Sequence, residues 1–172
     1  LDAGHKAFPP NQDGFSMLTT TLQCLQGDVD PQDLRIFVFD QAPDRFAAFH
    51  NRGAELFHQA PSLEKLLADQ KAEIQRIYAK VLKGEYNNDL REMAQHDPDV
   101  IAAGHRPEPW RILALVGDGK PLTPNEAKLL RWVAKYGPQV GYSILACGLP
   151  LPTDIEGFEH VGIDPSMPEA GR

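Results

Sequence analysis

Residues 9–16 read Pro-Pro-Asn-Gln-Asp-Gly-Phe-Ser and follow part of a pattern that binds phosphate. The full pattern, G-x-x-x-x-G-K-[ST], surrounds phosphate with backbone N–H groups and adds a lysine for charge and a hydroxyl for magnesium. Gly14 and Ser16 match it, whereas Phe15 stands at the lysine. Pro9 stands at the first glycine, where it removes a donor and fixes φ. The segment predicts a vestigial nucleotide site at Gly14, Phe15 and Ser16, although its composition also fits an ordinary loop.

A further candidate position follows an apolar run that has the character of a buried strand. Gly117 and Asp118 follow the run at 110–116. The carboxyl ends of strands are where α/β folds place their chemistry. Gly117-Asp118-Gly119 also fits a plain turn equally well.

Composition indicates one globular domain. The chain has 172 residues, 42% of them apolar, and a net charge of −7, which speaks against a strongly basic DNA-binding surface. Cys24 and Cys147 each lie in an apolar run, so we expect reduced, buried thiols of an intracellular protein. No apolar run reaches the length of a membrane span and no signal peptide opens the chain. The chain begins at Leu1 without an initiator methionine, as a piece of a longer protein would.

Sequence periodicity and capping residues predict alternating helices and strands. Thr123-Pro124-Asn125-Glu126 is a capping box with proline at N1, which predicts a helix from Pro124 to Tyr136. The other predicted helices cover 15–25, closed by Gly27, then 63–83 after an N-cap at Ser62, and 88–95, followed by a loop through Pro109. The predicted strands are 34–39, ending before Asp40, then 54–58, 110–116 and 142–147.

This alternation favours an α/β fold with three αβα layers and a mainly parallel sheet joined by right-handed crossovers. Residues 1–150 form the predicted domain. Residues 151–172 form a predicted proline-rich tail, extended and either docked or loose.

Several local stretches resemble the motor domain of the FtsK/SpoIIIE family of DNA translocases, which includes the ATPases of type VII secretion. Asp30-Pro31-Gln32-Asp33-Leu34-Arg35 is similar to the family's proline-acid turn, and Ile74-Gln75-Arg76-Ile77-Tyr78 is similar to its E-x-x-R-Y helix segment. Residues 141–150, Gly-Tyr-Ser-Ile-Leu-Ala-Cys-Gly-Leu-Pro, resemble its G-I-H-L-hydrophobic-A-T-Q-R-P strand, and Asn88-Asp89-Leu90 sits where it often has R-N-L-x-x-Y. The resemblance covers roughly residues 3–150 and implies a RecA-like P-loop NTPase topology.

The chain departs from this family at each position that handles triphosphate. The lysine is replaced by Phe15, the Asp-Glu of the Walker B strand is replaced by Gly117-Asp118-Gly119, and the sensor glutamine falls on Gly148. Phosphoryl transfer depends on positioning and charge stabilisation, so losing all three should abolish it. We therefore expect no catalytic residue, no metal and neither ATP nor magnesium as cofactor.

The resemblance implies a non-hydrolysing ATPase-like module that serves assembly or partner binding in a DNA-translocase or protein-secretion motor. Its partners would be other subunits or domains of the motor, with DNA reached only through the assembly and no direct membrane insertion. We expect it in the cytoplasm, at the inner face of the membrane if other domains hold it there.

Two alternatives stay open. One is an active translocase fragment whose missing lysine comes from a neighbouring subunit. The other is a glycosyltransferase acting on a nucleotide sugar, which residues 8–14 and Asp40 also resemble, but Asp28-Val29-Asp30 precedes a strand where that fold wants D-x-D after one. His96 and His105 match no tight metal-ligand spacing and favour a polar surface loop.

Overall fold

The computed structural model describes residues 4–41 and 57–162. Six strands lie in these ranges and form one sheet. They are β1 (His5–Phe8), β2 (Leu34–Asp40), β3 (Phe57–Gln59), β4 (Trp110–Val116), β5 (Tyr142–Cys147) and β6 (Phe158–His160).

The α-helices are α1 (Gln12–Asp28), α2 (Leu63–Arg76), α3 (Leu90–His96), α4 (Pro98–Ala103) and α5 (Pro124–Tyr136). A π-helical segment, Ile77–Leu82, continues α2 directly and ends at Lys83, which has a left-handed backbone with φ of 54°. Short 3₁₀ turns lie at Pro31–Asp33, Tyr86–Asn88 and Pro138–Val140.

The sheet has the order β3-β2-β4-β5-β1-β6, and every pair of neighbouring strands is parallel. Strand β5 therefore lies between β1 and β4, so the segments that follow these three strands meet at the carboxyl edge. All seven residues of β4 and all six of β5 are buried, as expected for strands covered on both faces.

One face of the sheet packs against α1, through a cluster that contains Leu18 and Leu22, both fully buried. The opposite face packs against α2 and α5, through Leu67, Ile74 and Leu130. The predicted three-layer αβα architecture with a parallel sheet is confirmed.

Local sequence signals explain the best-predicted elements. The Thr123 hydroxyl accepts from the Glu126 N–H, and the Glu126 carboxylate accepts from the Thr123 N–H, so the predicted capping box is present. Ser62 caps α2 through the Lys65 N–H. Strands β2, β4 and β5 match their predicted positions, and β3 overlaps the end of the predicted strand at 54–58, whose first residues lie outside the described ranges.

Three predictions about α1 and the following chain are wrong. Helix α1 begins at Gln12 and continues through Gly27 to Asp28, so Gly27 is inside the helix and does not cap it. Cys24 is exposed because it lies off the face that carries Leu18 and Leu22, whereas Cys147 is buried as predicted. Part of the predicted loop before Pro109 is helix α4, since the Asp97 side chain caps it and Pro98 occupies N1.

Strand β6 was not predicted from the sequence. Its residues pair with β1, from His5 opposite Phe158 to Ala7 opposite His160. Leu151 and Ile155 pack against the core on the α2–α5 side, so the described part of the predicted tail, residues 151–162, is docked on the domain.

Candidate functional site

Most of the sequence-predicted site residues come together in one cleft at the carboxyl edge of the sheet. Phe15, Gly117, Asp118 and Gly148 all line this cleft, which has a volume of about 360 Å³. The remaining lining residues are Pro10, Asn11, Gln12, Val116, Gly119 and Cys147. The sheet order explains the convergence, because β1, β5 and β4 are consecutive neighbours.

The connection between β1 and α1 is three residues long, from Pro9 to Asn11, because α1 already begins at Gln12. Its donors are scarce, since neither proline has an N–H. The Asn11 N–H donates to Pro9 O at 2.9 Å, the Gly14 N–H to Asn11 Oδ1 at 2.8 Å and the Phe15 N–H to Asn11 O at 3.0 Å. The segment is a tight helix cap and does not form a wide loop around an anion.

Gly14 is buried in the first turn of α1, directly against this connection. A Cβ at Gly14 would lie 1.7 Å from Pro9 O and 2.7 Å from the Pro9 carbonyl carbon. Only glycine fits this approach of helix to loop. Close packing therefore accounts for Gly14 without any ligand.

Phe15 is partly buried and packs against the cluster that contains Phe8 and Leu18 while also lining the cleft. Ser16 lies elsewhere. It lines a separate groove of about 490 Å³ with Lys6, Thr20 and other residues of α1 and β6. The structure thus separates the Ser16 hydroxyl from the cleft that Phe15, Gly117, Asp118 and Gly148 line.

The segments that follow β4 and β5 contact each other through their backbones at Gly117 and Gly148. The Gly117 N–H donates to Cys147 O at 2.9 Å and the Gly119 N–H to Gly148 O at 3.0 Å. A Cβ on either glycine would lie 2.6 Å from the carbonyl oxygen of the other, and Gly148 has φ of 70°. The sheet pairing therefore continues past the strand ends and leaves no room for a side chain at either position.

Asp118 is held by its own turn. Its carboxylate accepts from the Lys120 N–H at 3.1 Å and lies 3.3 Å from the Lys120 ammonium, and its N–H donates to Gln41 Oε1 at 2.7 Å. The Lys120 N–H, with its ammonium, lowers the pKa of the Asp118 carboxyl. These contacts fit the turn interpretation of Gly117-Asp118-Gly119.

Sequence reasoning missed Asn11, Gln41 and Cys147. Asn11 caps α1, and an N-cap signal was readable in Asn11 three residues before Gly14. The Cys147 thiol contacts Pro9 O at 3.3 Å and so joins β5 to the same connection. The contact of Gln41 with Asp118 depends on the order of the strands and has no local signal.

The side chains that line the cleft do not fit a magnesium triphosphate. Among the described residues, those lining the cleft include no lysine or arginine, and Asp118 is the only one with a charged side chain. The Lys120 ammonium lies 3.3 Å from the Asp118 carboxylate and already pairs with it, so the lining itself offers a triphosphate no side-chain cation.

The other chemistry-bearing side chains have structural roles. His5 is buried between β1, β5 and α5, where its Nδ1 accepts from the Ile144 N–H at 3.0 Å and its Nε2 donates to Ala134 O at 2.8 Å. Arg111 is buried and pairs with Glu73 and Glu108 at 3.1 and 3.2 Å.

Within residues 4–41 and 57–162, no group of three or more His, Cys, Asp and Glu side chains is arranged to hold a metal ion. In the same ranges, no helix combines the length and the apolar character that crossing a membrane requires.

The fold is shared with solved ATPase structures. EccC from Thermomonospora curvata, solved as ATPases 2 and 3 in complex with a signal sequence peptide, has a TM-score of 0.66 at 14% identity, over 90% of this chain and 29% of that one. EssC from Geobacillus thermodenitrificans, also ATPases 2 and 3, has a TM-score of 0.59 at 18% identity, over 95% and 30%. The cytoplasmic domain of EssC has a TM-score of 0.55 at 18% identity, over 85% and 29%.

This chain spans less than a third of the length of those chains. Its sequence matches no protein-family model and no curated protein. At these identities the likeness shows the fold alone, and that fold is the RecA-like fold of P-loop ATPase domains, as predicted from the resemblance to the FtsK/SpoIIIE family.

Proposed function

We propose that this chain is a degenerate ATPase-like module that binds no nucleotide and serves assembly or partner binding in a DNA-translocase or protein-secretion motor. One observation carries the proposal: no lysine or arginine lines the cleft among the described residues. P-loop enzymes place cations and backbone donors around the β- and γ-phosphates, because charge stabilisation is nearly all of their catalysis.

The shape of the connection after β1 supports the same conclusion. A phosphate loop needs several N–H groups that point inward from a wide turn. Here the N–H groups of Asn11, Gly14 and Phe15 bind the connection itself, and Pro9 and Pro10 have none. Only Gln12 and Asp13 of this segment have N–H groups left at the helix end, and Asp13 brings a negative charge with it.

The strand ends support it too. Chemistry at Gly148 would need a side chain, and the contact with Gly117 leaves no space for one. Asp118 lies in a turn with Lys120, so its carboxylate is already occupied. The module would keep the scaffold and use its outer surface for other subunits or domains of the motor.

The partners we propose are proteins, with DNA reached only through the assembly. The net charge of −7 disfavours a direct approach to a polyanion. The EccC and EssC structures with this fold contain ATPases 2 and 3, and this chain spans less than a third of each, which fits a module that works beside other ATPase domains. The proposed location is the cytoplasm, at the inner face of a membrane through other domains.

Isothermal titration calorimetry with ATP and Mg²⁺, and separately with ADP and Mg²⁺, tests the proposal. We expect no saturable heat, which corresponds to a Kd weaker than about 1 mM. Micromolar binding would overturn it. A steady-state ATPase assay on the assembled motor tests whether a neighbouring subunit supplies the missing lysine. ATP turnover that requires this chain's cleft would overturn the non-hydrolysing role.

A lysine variant separates charge from loop geometry. Phe15→Lys returns the missing cation, with Phe15→Ala as its matched control. Because the connection still offers few donors, we expect neither variant to bind ATP in the micromolar range. Tight binding by Phe15→Lys alone would show that the missing lysine was the single defect.

A further inference from the structure

The chain between the π-helical segment and α3 has an unusual backbone, and we define residues 83–88 as the left-handed connection. Five of these described residues have a positive φ: 54° at Lys83, 77° at Gly84, 53° at Tyr86, and 54° at both Asn87 and Asn88. This conformation is strained for a residue with a side chain, because Cβ lies too close to the following carbonyl oxygen. Glycine adopts it freely and asparagine tolerates it. The strain therefore falls mainly on Lys83 and Tyr86.

The chain before the left-handed connection is fixed to the rest of the domain. Leu82, the last residue of the π-helical segment, is 1% exposed. The Tyr78 hydroxyl of the same segment donates to Tyr136 O at 2.8 Å and lies 3.0 Å from Gln139 Oε1. These contacts join the segment to the end of α5, so the rigid part of the domain extends as far as Leu82.

The chain after α4 is fixed in a similar way. Helix α4 ends at Gly104, which has φ of 69° and nothing within 4 Å of an added Cβ. Two residues later the Arg106 guanidinium lies 4.5 Å from the centre of the Trp110 ring. Glu108 then pairs with the buried Arg111 at 3.2 Å. The α3–α4 pair is thus bounded by the left-handed connection on one side and by Gly104 on the other.

The helices between these two turns have few buried side chains. We define residues 89–103, which contain α3 and α4, as the helical hairpin. Both helices lie wholly within the described residues, and Leu90 is the only buried residue in either of them. Met93 is partly buried against the same core cluster, and Ile101 is 57% exposed. Elements with so little apolar burial open locally at low free energy.

Tyr86 links the left-handed connection to the helical hairpin. Its hydroxyl donates to Asp97 Oδ2 at 2.8 Å, and its ring packs against the core cluster on the α2–α5 side. Asp97 is also the N-cap of α4, since Oδ1 accepts from the N–H groups of Asp99 and Val100. The contacts that hold the hairpin against the domain therefore also hold a bulky residue at positive φ.

We propose that the helical hairpin is a detachable element, which swings away from the domain about the left-handed connection and Gly104 while the sheet, α2 and α5 keep their structure. In the closed form, the burial of Leu90 and the bond from Tyr86 to Asp97 act against the strain of the connection. In the open form the connection leaves the left-handed region, and Leu90 and Met93 become accessible beside Ile101. A partner that binds the open form shifts the equilibrium toward it.

Native-state hydrogen exchange on the full chain tests the opening. Two amides report on the hairpin, because the Asp97 N–H donates to Met93 O at 2.9 Å and the Ile101 N–H to Asp97 O at 3.0 Å. Leu113, fully buried in the central strand β4, reports on the core. We expect the hairpin amides to be about 100-fold less protected than Leu113. Below the unfolding transition their exchange should hardly depend on urea, since a local opening exposes little surface.

A pair of variants at Asn87 tests whether the connection is the hinge. Asn87 has φ of 54° and ψ of 27°, and its side chain is exposed, so a replacement removes no packing in the core. Asn87→Val places a β-branched residue in the left-handed region, and Asn87→Gly is its matched control. We expect both hairpin amides to exchange about tenfold faster in the valine variant than in the glycine variant. Fraying of α4 alone would not respond to this position.

A core variant tests whether the opening is independent of global unfolding. Ile144→Val removes a buried methyl group from β5, where Ile144 is fully buried, and should speed exchange of the Leu113 amide about fivefold. The hairpin amides should be unchanged, because the sheet is intact in both the closed and the open form.

Three results would each overturn the proposal. One is protection and urea dependence of the hairpin amides equal to those of Leu113. The others are equal hairpin exchange in the two Asn87 variants, and an Ile144→Val variant that speeds both sets of amides alike. The opening does not involve the cleft. Nucleotide binding would therefore refute the proposed function without changing these exchange rates.

Discussion

Replacing Gly14 with alanine separates a packing role from a phosphate-binding role. A Cβ at this position would lie 1.7 Å from Pro9 O, so the Pro9 carbonyl or α1 would have to move by roughly 1.3 Å to reach even 3.0 Å. The obstacle is backbone, which cannot rotate away as a side chain would. The same movement would stretch the bond of the Gly14 N–H to Asn11 Oδ1, now 2.8 Å long.

The magnitude follows from three contributions. Forcing a methyl group into a packed site costs about 1–3 kcal/mol and here belongs at the upper end. Weakening the N-cap costs about 1 kcal/mol. Alanine gains about 1 kcal/mol over glycine in helix propensity. We expect Gly14→Ala to lower the free energy of unfolding by about 3 kcal/mol, which lowers Tm by about 6–12 °C in a domain of this size.

Gly27→Ala is the matched control, because Gly27 lies in the same helix with nothing within 4 Å of its added Cβ. There only helix propensity changes, so we expect a gain of about 0.5–1 kcal/mol. Urea denaturation followed by circular dichroism measures both variants. If Gly14→Ala were as stable as Gly27→Ala, the close approach to Pro9 would not be the reason for glycine at position 14.

Two further predictions concern the buried polar groups. Burial lowers the pKa of His5 from its ordinary 6.5, so below pH 6.5 the unfolded chain takes up a proton that the folded chain refuses. The free energy of unfolding should therefore fall as pH drops below 6.5, by at most about 1.4 kcal/mol per pH unit. If a His5→Gln variant shows the same dependence of unfolding free energy on pH, the effect belongs to other groups. Tyr142→Phe should cost about 1–2 kcal/mol in urea denaturation, because the buried Gln70 carbonyl accepts from the Tyr142 hydroxyl at 2.7 Å; a change below about 0.5 kcal/mol would show that Gln70 finds another donor.

The elements predicted well are those whose signals are local. Both hydrogen bonds of the capping box join residues within the four-residue segment from Thr123 to Glu126. The apolar runs of β4 and β5 can be recognised without knowing which strands they pair with. The resemblance to a known fold predicted the overall topology, since right-handed crossovers alone permit several strand orders.

The elements predicted wrongly depended on weaker or non-local signals. The prolines and glycines around helix α4 led to the prediction of a loop, although Asp97-Pro98 is itself a typical helix start. Strand β6 has three residues and exists because β1 offers an edge and Phe158 lies 5.0 Å from the His5 ring. No pattern within residues 158–160 carries that information.

The meeting of the candidate positions at one edge of the sheet was predictable, but the backbone geometry around them was not. The resemblance to a known family pointed to Phe15, Asp118 and Gly148, and all three line the cleft. Three features depend on the exact first residue of α1. They are the length of the connection from Pro9 to Asn11, the packing of Gly14 against Pro9, and the position of Ser16 in a separate groove. The bounds of a helix are its least predictable feature.

The backbone contact of Gly117 with Gly148 restricts both positions to glycine. A glutamine at 148 would need a left-handed residue with a side chain pressed against Gly117 O, 2.6 Å from its Cβ. A side chain at 117 would meet the same obstacle from the other strand. No single replacement can therefore place an amide or a carboxylate side chain at position 117 or 148, because the two backbone segments would first have to move apart together.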